Sequence, residues 1–283
     1  MVEVKLLAYW DTPTGELKLL RDRDGELVFL IDDGVQFREG SERRYHEALF
    51  TVPACMVKKE MIDVLILGGG DGLGARNLLE LPFVNSITLV DISPEVVSLA
   101  LWDVNMRRLN KDSLHNPKVK VIIGDAYKKV RELSREGKKF DLIVLDYPDV
   151  PPVKGHQVER LYSEEHLREV KALLSPQGVV GIQAGSYSSL PVYTEYIIRT
   201  IKKVFGKGFT ARVVLKGFPD ATFYYSSDFL YRPLPKGCFI STLDRIKVFL
   251  YEDERSVIER NIPYVNSPAE AMITDFQRQK KTF

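Results

Sequence analysis

Two cysteines, Cys55 and Cys238, are all that this chain of 283 residues carries, and they form no CxxC pair. A disulfide framework and a zinc–thiolate cluster are therefore not expected, and a reducing, cytoplasmic setting is. Histidine is scarce as well. His46, His115, His156 and His166 show no metal-ligand spacing, so no metal site is expected. No apolar run approaches the ~20 residues that a membrane helix needs. The start, MVEVKLLAYWDTPTG, is charged and its apolar run too short for a secretory signal. Surplus charge is missing too: Lys+Arg 40 against Asp+Glu 39 leaves a net charge of +1. That balance speaks against a dedicated nucleic-acid or membrane surface.

What remains is a globular composition, 45% hydrophobic and 28% charged, with chain enough for a catalytic domain and a small appended one. Residues 1 to about 40 read as three short strands, Val4–Ala8, Glu16–Leu20 and Glu26–Ile31, divided by turns at Thr12-Pro13-Thr14-Gly15 and Arg23-Asp24-Gly25. Three such strands bury little on their own. They are expected to pack on the main domain or on another subunit. A helix is predicted from Ser41, its N-cap, through Phe50, with Pro53 kinking or ending it. The expected division is an N-terminal β-strand domain over 1–50 and a catalytic domain over 51–283.

The chain is organised around Asp63 to Asp91, DVLILGGGDGLGARNLLELPFVNSITLVD. An apolar strand breaks into Gly68-Gly69-Gly70-Asp71-Gly72, a helix follows, and a second apolar strand ends on Asp91. Strand, glycine turn, helix, strand and terminal carboxylate form one half of a nucleotide-binding α/β fold. Asp91 stands about 20 residues past the turn, where an acid can accept both hydroxyls of a ribose. Gly70, Gly72 and Ala75 satisfy the permissive dinucleotide fingerprint, so spacing alone leaves a dinucleotide open. Asp71 in the middle of the turn would repel a phosphate, and an adenosyl-sulfonium ligand is the reading preferred. Further on, strands alternate with helices to about Phe205, with late strands predicted at Phe209–Leu215 and Phe239–Leu243 and a closing helix at Pro268–Arg278. The fold class expected is α/β, a Rossmann-like doubly wound, mostly parallel sheet resembling the class I methyltransferases.

At the carboxyl ends of the predicted strands stand Asp71, Asp91, Asp125, Asp146 and Asp149. A single such acid is often only a turn former or helix cap. Five on one rim raise each other's pKa unless cations arrive, which points to a cationic ligand.

Gly68-Gly69-Gly70-Asp71-Gly72, Asp33-Gly34-Val35-Gln36, Tyr45-His46-Glu47, Gly124-Asp125-Ala126 and Asp146-Tyr147-Pro148-Asp149 together resemble the spermidine synthase (polyamine aminopropyltransferase) family across nearly the whole chain. The resemblance implies transfer of the aminopropyl group of decarboxylated S-adenosylmethionine to a polyamine, releasing 5′-methylthioadenosine, without metal, other cofactor or covalent intermediate. It implies a donor site of Gly68, Gly70, Asp71, Gly72, Asp91, Ile92, Asp125 and Ala126, with Asp91 on the ribose, Asp125 on the adenine amino group and Asp71 on the aminopropyl ammonium. Asp146 would be the catalytic base, with Tyr45 beside it. Asp149, Tyr45, His46, Gln183 and Phe218 would face the acceptor amine. A homodimer or homotetramer is implied as well.

The acceptor side departs from the family's pattern. Its strand-four motif is usually D-[ST]-x-D-P followed by G-P, where this chain has Asp146-Tyr147-Pro148-Asp149-Val150 and Pro151-Pro152. That longer loop resembles thermospermine-type and other long-polyamine members. A glutamine usual near the first strands has no counterpart around Thr14-Gly15-Glu16, and Phe218 stands where a late-loop tyrosine is usual. Putrescine, agmatine and longer polyamines are thus all open as acceptor. Two alternatives share the fold: a methyltransferase on a small amine, which Asp71 opposes by repelling the donor carboxylate, and a donor-binding paralogue without catalysis.

Overall fold

Turn chemistry divides the first forty residues into four strands where the sequence reading counted three: β1 (Lys5–Thr12), β2 (Gly15–Arg21), β3 (Leu27–Ile31) and β4 (Gly34–Arg38). Asp32 and Asp33, at φ 49° and 62°, make the tight left-handed turn that lets Ile31 pair with Gly34. The four pair antiparallel in chain order as one sheet. The computed structural model describes residues 4–13, 15–206, 208–215, 218–227, 230–233, 247–249 and 267–280. Cys238 and the strand expected at Phe239–Leu243 lie outside the described residues.

A helical run follows. Helix α1 (Glu39–His46) passes through a π-turn (Glu47–Thr51) into α2 (Val52–Met56). Ser41 is not its cap: the helix starts two residues earlier, after Arg38, which makes no side-chain cap bond. Pro53 does not end the run. Proline lacks the N–H that would continue the α pattern and crowds the carbonyl four residues back. A π-turn just ahead of it absorbs the misfit.

The second sheet is built from β5 (Ile62–Gly68), β6 (Val84–Asp91), β7 (Val119–Ile123), β8 (Phe140–Asp146), β9 (Leu174–Gln183), β10 (Phe209–Leu215), β11 (Phe218–Tyr225) and β12 (Lys247–Phe249), in spatial order β12-β10-β11-β9-β8-β5-β6-β7. The run β9-β8-β5-β6-β7 is parallel. The pairs β9–β11, β11–β10 and β10–β12 are antiparallel. The sheet is therefore mixed, which corrects the expectation of a doubly wound, mostly parallel one. The reason is local: β10 and β11 are joined by too few residues for a crossover, so they can only form a hairpin. Phe218, read from sequence as a late-loop residue, opens the second strand of that hairpin.

Helices α3 (Leu73–Leu79), α4 (Pro94–Trp102), α5 (Val104–Asn110), α6 (Ala126–Arg135), α7 (Glu164–Ala172), α8 (Pro191–Phe205) and α9 (Pro268–Lys280) complete the described fold. A local cap starts α4: Ser93 Oγ accepts from Val96 N at 3.2 Å, with Pro94 at the first helical position. Strand β5 shows why both faces of the large sheet are covered. Val64 and Ile66 point into one apolar cluster and Leu65 and Leu67 into another, all four at 0% exposure. Such continuous apolar runs belong to strands buried on both sides. Each side chain removed from water contributes about 1.5–3 kcal/mol. A third cluster joins the sheets: Leu17, Leu19, Leu27, Phe29 and Phe37 meet Leu73 of α3, Val96 and Leu99 of α4 and Met106 of α5. No helix among the described residues is long and apolar enough to cross a membrane.

Candidate active site

The strand order lines up the acids. Along the sheet stand Gln183 at the end of β9, Asp146 at the end of β8, Asp71 in the turn after β5, Asp91 ending β6 and Asp125 just past β7. Neighbouring strands lie about 4.8 Å apart, so this row spans roughly 19 Å. Loops after parallel strands gather on one edge, so the carboxylates face a shared cleft.

Two glycines allow the turn to fit between its neighbours. Gly68 sits at φ 92°, and a Cβ there would run into the backbone carbonyl of Asp146. A Cβ on Gly70 would lie 2.7 Å from the Asp91 carboxyl carbon. With none there, Gly70 N donates to Asp91 Oδ2 at 2.8 Å, while Ser93 N donates to Asp91 Oδ1 at 2.8 Å. Asp71 Oδ1 accepts from Leu73 N at 2.9 Å, and Gly72 is the residue from which α3 starts. Ile92 beside Asp91 is half exposed, and Ala126 is the first residue of α6.

At the centre, Tyr45 from the last turn of α1 donates its hydroxyl to Asp146 Oδ1 at 2.9 Å. The Tyr45 ring is held edge-on against Phe223 at 5.2 Å and against His46 at 5.2 Å. Burial, then the negative charge of Asp146, pushes the Tyr45 phenol well up, so it stays protonated and donating. Burial raises Asp146 to about 6; the nearby His46 draws it down, Asp71 pushes it up, and the Tyr45 hydrogen bond opposes the rise. Burial likewise raises Asp71, Asp91 and Asp149, against backbone or side-chain donors that favour their charged forms. Asp149 has solvent-accessible surface, yet protein surrounds its carboxyl closely enough to withhold much hydration.

His46 is buried, with Nδ1 2.7 Å from Glu42 O and 3.1 Å from Glu42 Oε2. Burial would lower its pKa, but the Glu42 hydrogen bond and the charges of Asp71, Glu42 and Asp146 outweigh this and raise it. Glu42 also receives both terminal nitrogens of Arg76, at 2.9 and 2.8 Å. Burial would raise Glu42, but the bonds from His46 and Arg76 prevail and hold it at about 2. This buried Glu42–Arg76 pair escaped the sequence reading, its partners lying 34 residues apart. The one signal was an arginine beside Asn77 in a short helix whose other residues are leucine, glycine and alanine.

At the β9 end, Gln183 Nε2 donates to Asp149 Oδ1 at 3.0 Å, while Gln183 Oε1 is buried with no partner among the described residues. At the β7 end, Asp125 Oδ1 caps α6 through Tyr127 N at 2.9 Å, and Asp125 Oδ2 accepts from Arg160 at 2.6 Å. Arg160 was not anticipated, and nothing in the local sequence marks it. The structure thus gathers Tyr45, His46, Asp71, Asp91 and Asp146 into one electrostatic cluster. Asp149 and Gln183 pair on one flank, and Asp125 is tied to Arg160 on the other. Phe218 opens β11, but its side chain lies outside the described part. Tyr224 and Tyr225, weighed as substitutes for the missing tyrosine, are core residues at 0% exposure, donating to Gly206 O and Ala48 O.

Chemically, the cluster can hold a cation along the row of acids and can accept a proton at Asp146. Known proteins resemble this chain in sequence and in fold. The chain is 38% identical over 198 residues to a polyamine aminopropyltransferase of Mycobacterium tuberculosis, covering 70% of this chain and 36% of that protein. Proteins of the same name from Aeropyrum pernix and Pyrobaculum calidifontis are 35% and 30% identical, over 67% and 69% of this chain and 58% and 65% of theirs. The chain therefore spans between about a third and two thirds of these curated relatives. The crystal structure of spermidine synthase from Thermotoga maritima superposes with a TM-score of 0.70 at 20% identity, over 93% of this chain and 85% of that one. A spermidine synthase in complex with the transition state analogue AdoDATO superposes at 0.69 and 19% identity, over the same shares. These likenesses assign the spermidine synthase fold with its mixed sheet, in place of the class I methyltransferase-like fold expected from sequence. The family model described as the spermine/spermidine synthase domain matches residues 42–227, from Glu42 beside His46 to the end of the β10–β11 hairpin, and the chain belongs to that family.

Proposed function

We propose that this chain is an aminopropyltransferase, moving the aminopropyl group of decarboxylated S-adenosylmethionine onto a polyamine acceptor and releasing 5′-methylthioadenosine. The observation that carries the reading is the Tyr45–Asp146 pair, an Asp146 carboxyl raised to about 6 within a row of acids at the strand ends. A polyamine nitrogen is protonated in water and has no lone pair to attack with. A carboxylate with raised proton affinity can take that proton, and Tyr45 fixes its orientation. The freed nitrogen then forms a bond to the aminopropyl carbon next to sulfur as the carbon–sulfur bond breaks. The electron pair stays on sulfur, which leaves as a neutral thioether.

The remaining roles follow the order along the sheet. Asp91 takes the ribose hydroxyls, Asp125 the adenine amino group, and Gly68, Gly70, Gly72, Ile92 and Ala126 line the donor. Asp71 takes the aminopropyl ammonium, and would repel the carboxylate of intact S-adenosylmethionine. Asp149 and Gln183 receive the acceptor: the Asp149 carboxylate and the Gln183 amide oxygen, which has no partner among the described residues, suit an ammonium donor.

The test incubates the purified chain with decarboxylated S-adenosylmethionine and, separately, putrescine, agmatine, spermidine and spermine, following methylthioadenosine and the amine products. Turnover is expected only with an amine present. Asp146→Asn is expected to lower it about 10²–10⁴-fold, the usual worth of a positioned base. Donor breakdown that ignores the amine, or a fully active Asn variant, would overturn the reading.

A further inference from the structure

Asp149 does not hold its position alone. Gln183 holds its carboxylate, and the residue that follows it is held as well. The hydroxyl of Tyr193 accepts from Val150 N at 3.1 Å, so a buried phenol fixes the backbone of the loop after β8 directly beside Asp149. Tyr193 is completely buried and packs edge-on against Tyr162 at 6.5 Å.

Tyr193 sits in the first turn of α8, where backbone N–H groups lack partners within the helix. The residue ahead of α8 is Leu190, which supplies no side-chain cap. The cap comes instead from 82 residues further on. Asp275 in α9 accepts from Val192 N at 3.1 Å through Oδ1 and from Tyr193 N at 2.9 Å through Oδ2. Asp275 is 1% exposed, and a carboxylate is costly to bury unless its oxygens are satisfied. Two orphan N–H groups at a helix N-terminus satisfy it and favour its charge.

We propose that Tyr193 is a positioning residue for the acceptor amine, acting on Asp149 through the backbone of Val150, and that Asp275 sets it by capping α8 from α9. This rests on reading Asp149 as the acceptor's ligand. No acceptor atom need touch either residue. Tyr193→Phe removes one oxygen, and Asp275→Asn keeps shape while turning one acceptor into a donor facing an N–H.

The experiment titrates donor and acceptor separately in the full-length wild type, Tyr193→Phe, Asp275→Asn and the double variant, and determines the crystal structures of wild type and both single variants. Tyr193→Phe is expected to raise the KM for the amine about three- to tenfold, the range for a neutral hydrogen bond, with donor KM and kcat unchanged. Asp275→Asn is expected to move the amine KM in the same direction by less. The double variant should match Tyr193→Phe alone, since the two act through one hydroxyl. The Tyr193→Phe structure should show Asp149 turned from its wild-type position, with the Tyr45–Asp146 bond intact. An unmoved Asp149, or donor and amine KM rising together, would overturn the proposal. Should the wild type show no amine-dependent turnover, the functional reading fails, and the position of Asp149 in the structures still decides the positioning claim.

Discussion

At Asp146, stability and chemistry pull in opposite directions. Its folded pKa of about 6 lies above that of an unfolded aspartate, so the folded chain holds this proton more tightly. The stability from this group is fully present below about pH 4 and is lost as pH rises through about 6. Asp146→Asn is therefore expected to raise the melting temperature at neutral pH, where the wild type keeps a buried charge, and to have little effect below about pH 4. A calorimetric scan at both conditions checks this, and a lower melting temperature at neutral pH would show that the Tyr45 bond outweighs the burial. The proposed catalytic role carries the opposite sign. A base must be ionised, so kcat/KM for the amine should fall about tenfold per unit below pH 6. A flat acid limb would assign the proton to another group. The residue itself was legible in the sequence, because a D-x-x-D at the end of an apolar strand is a local pattern. Its surroundings were not. Asp71 and His46 shift it through space from other elements, and one-dimensional spacing carries no such distance.

Helix α1 shows what an element contributes beyond its own residues. It brings Tyr45 to Asp146, and it is anchored through Glu42, which joins His46 on the same helix to Arg76 on α3. All three charged side chains are nearly inaccessible, so removing one partner strands the others. Glu42→Gln is expected to destabilise the fold by about 3–5 kcal/mol, measured by denaturant unfolding. Replacing Arg76 by Leu in the same chain should recover part of that loss, and no recovery would locate the cost outside the pair. Because Glu42 is held at about 2, its contribution is present above about pH 4.3 and fades as pH falls towards 2. Elements of this kind were legible where local chemistry decides them. Ser93-Pro94 starts α4, Ser163 caps α7, and the apolar run of β5 reads as a strand buried on both faces. They were illegible where a distant partner decides. The run Phe218–Tyr225 is equally good as a parallel or an antiparallel strand, and only its pairing with β10 and β9 sets its direction. The early start of α1 and the π-turn ahead of Pro53 likewise depend on packing.

Across the whole molecule, the N-terminal sheet and the donor end of the cleft share one apolar cluster. Leu73 follows the glycine turn and Asp71 directly, and Val96 and Leu99 belong to the helix that follows Asp91. The two helices that carry the chain away from Asp71 and Asp91 are therefore backed by Leu17, Leu19, Leu27, Phe29 and Phe37. The sequence reading expected this layer to pack on the main domain or on another subunit, and the cluster settles on the first within this chain. The opposite end of the row is built differently, from the hairpin β10–β11 and from α8, which α9 caps. The two ends should then fail separately. Deleting residues 1–38 would leave Leu73, Val96, Leu99 and Met106 facing water, at about 1.5–3 kcal/mol for each large side chain uncovered. The shortened chain is expected to melt at lower temperature and to bind methylthioadenosine more weakly, while Asp149 and Gln183 keep their pairing. Calorimetry and product titration on the full and shortened chains check both. If the shortened chain melts and binds product like the full one, the cluster does not support α3 and α4, and the N-terminal sheet contributes nothing to the donor end of the cleft.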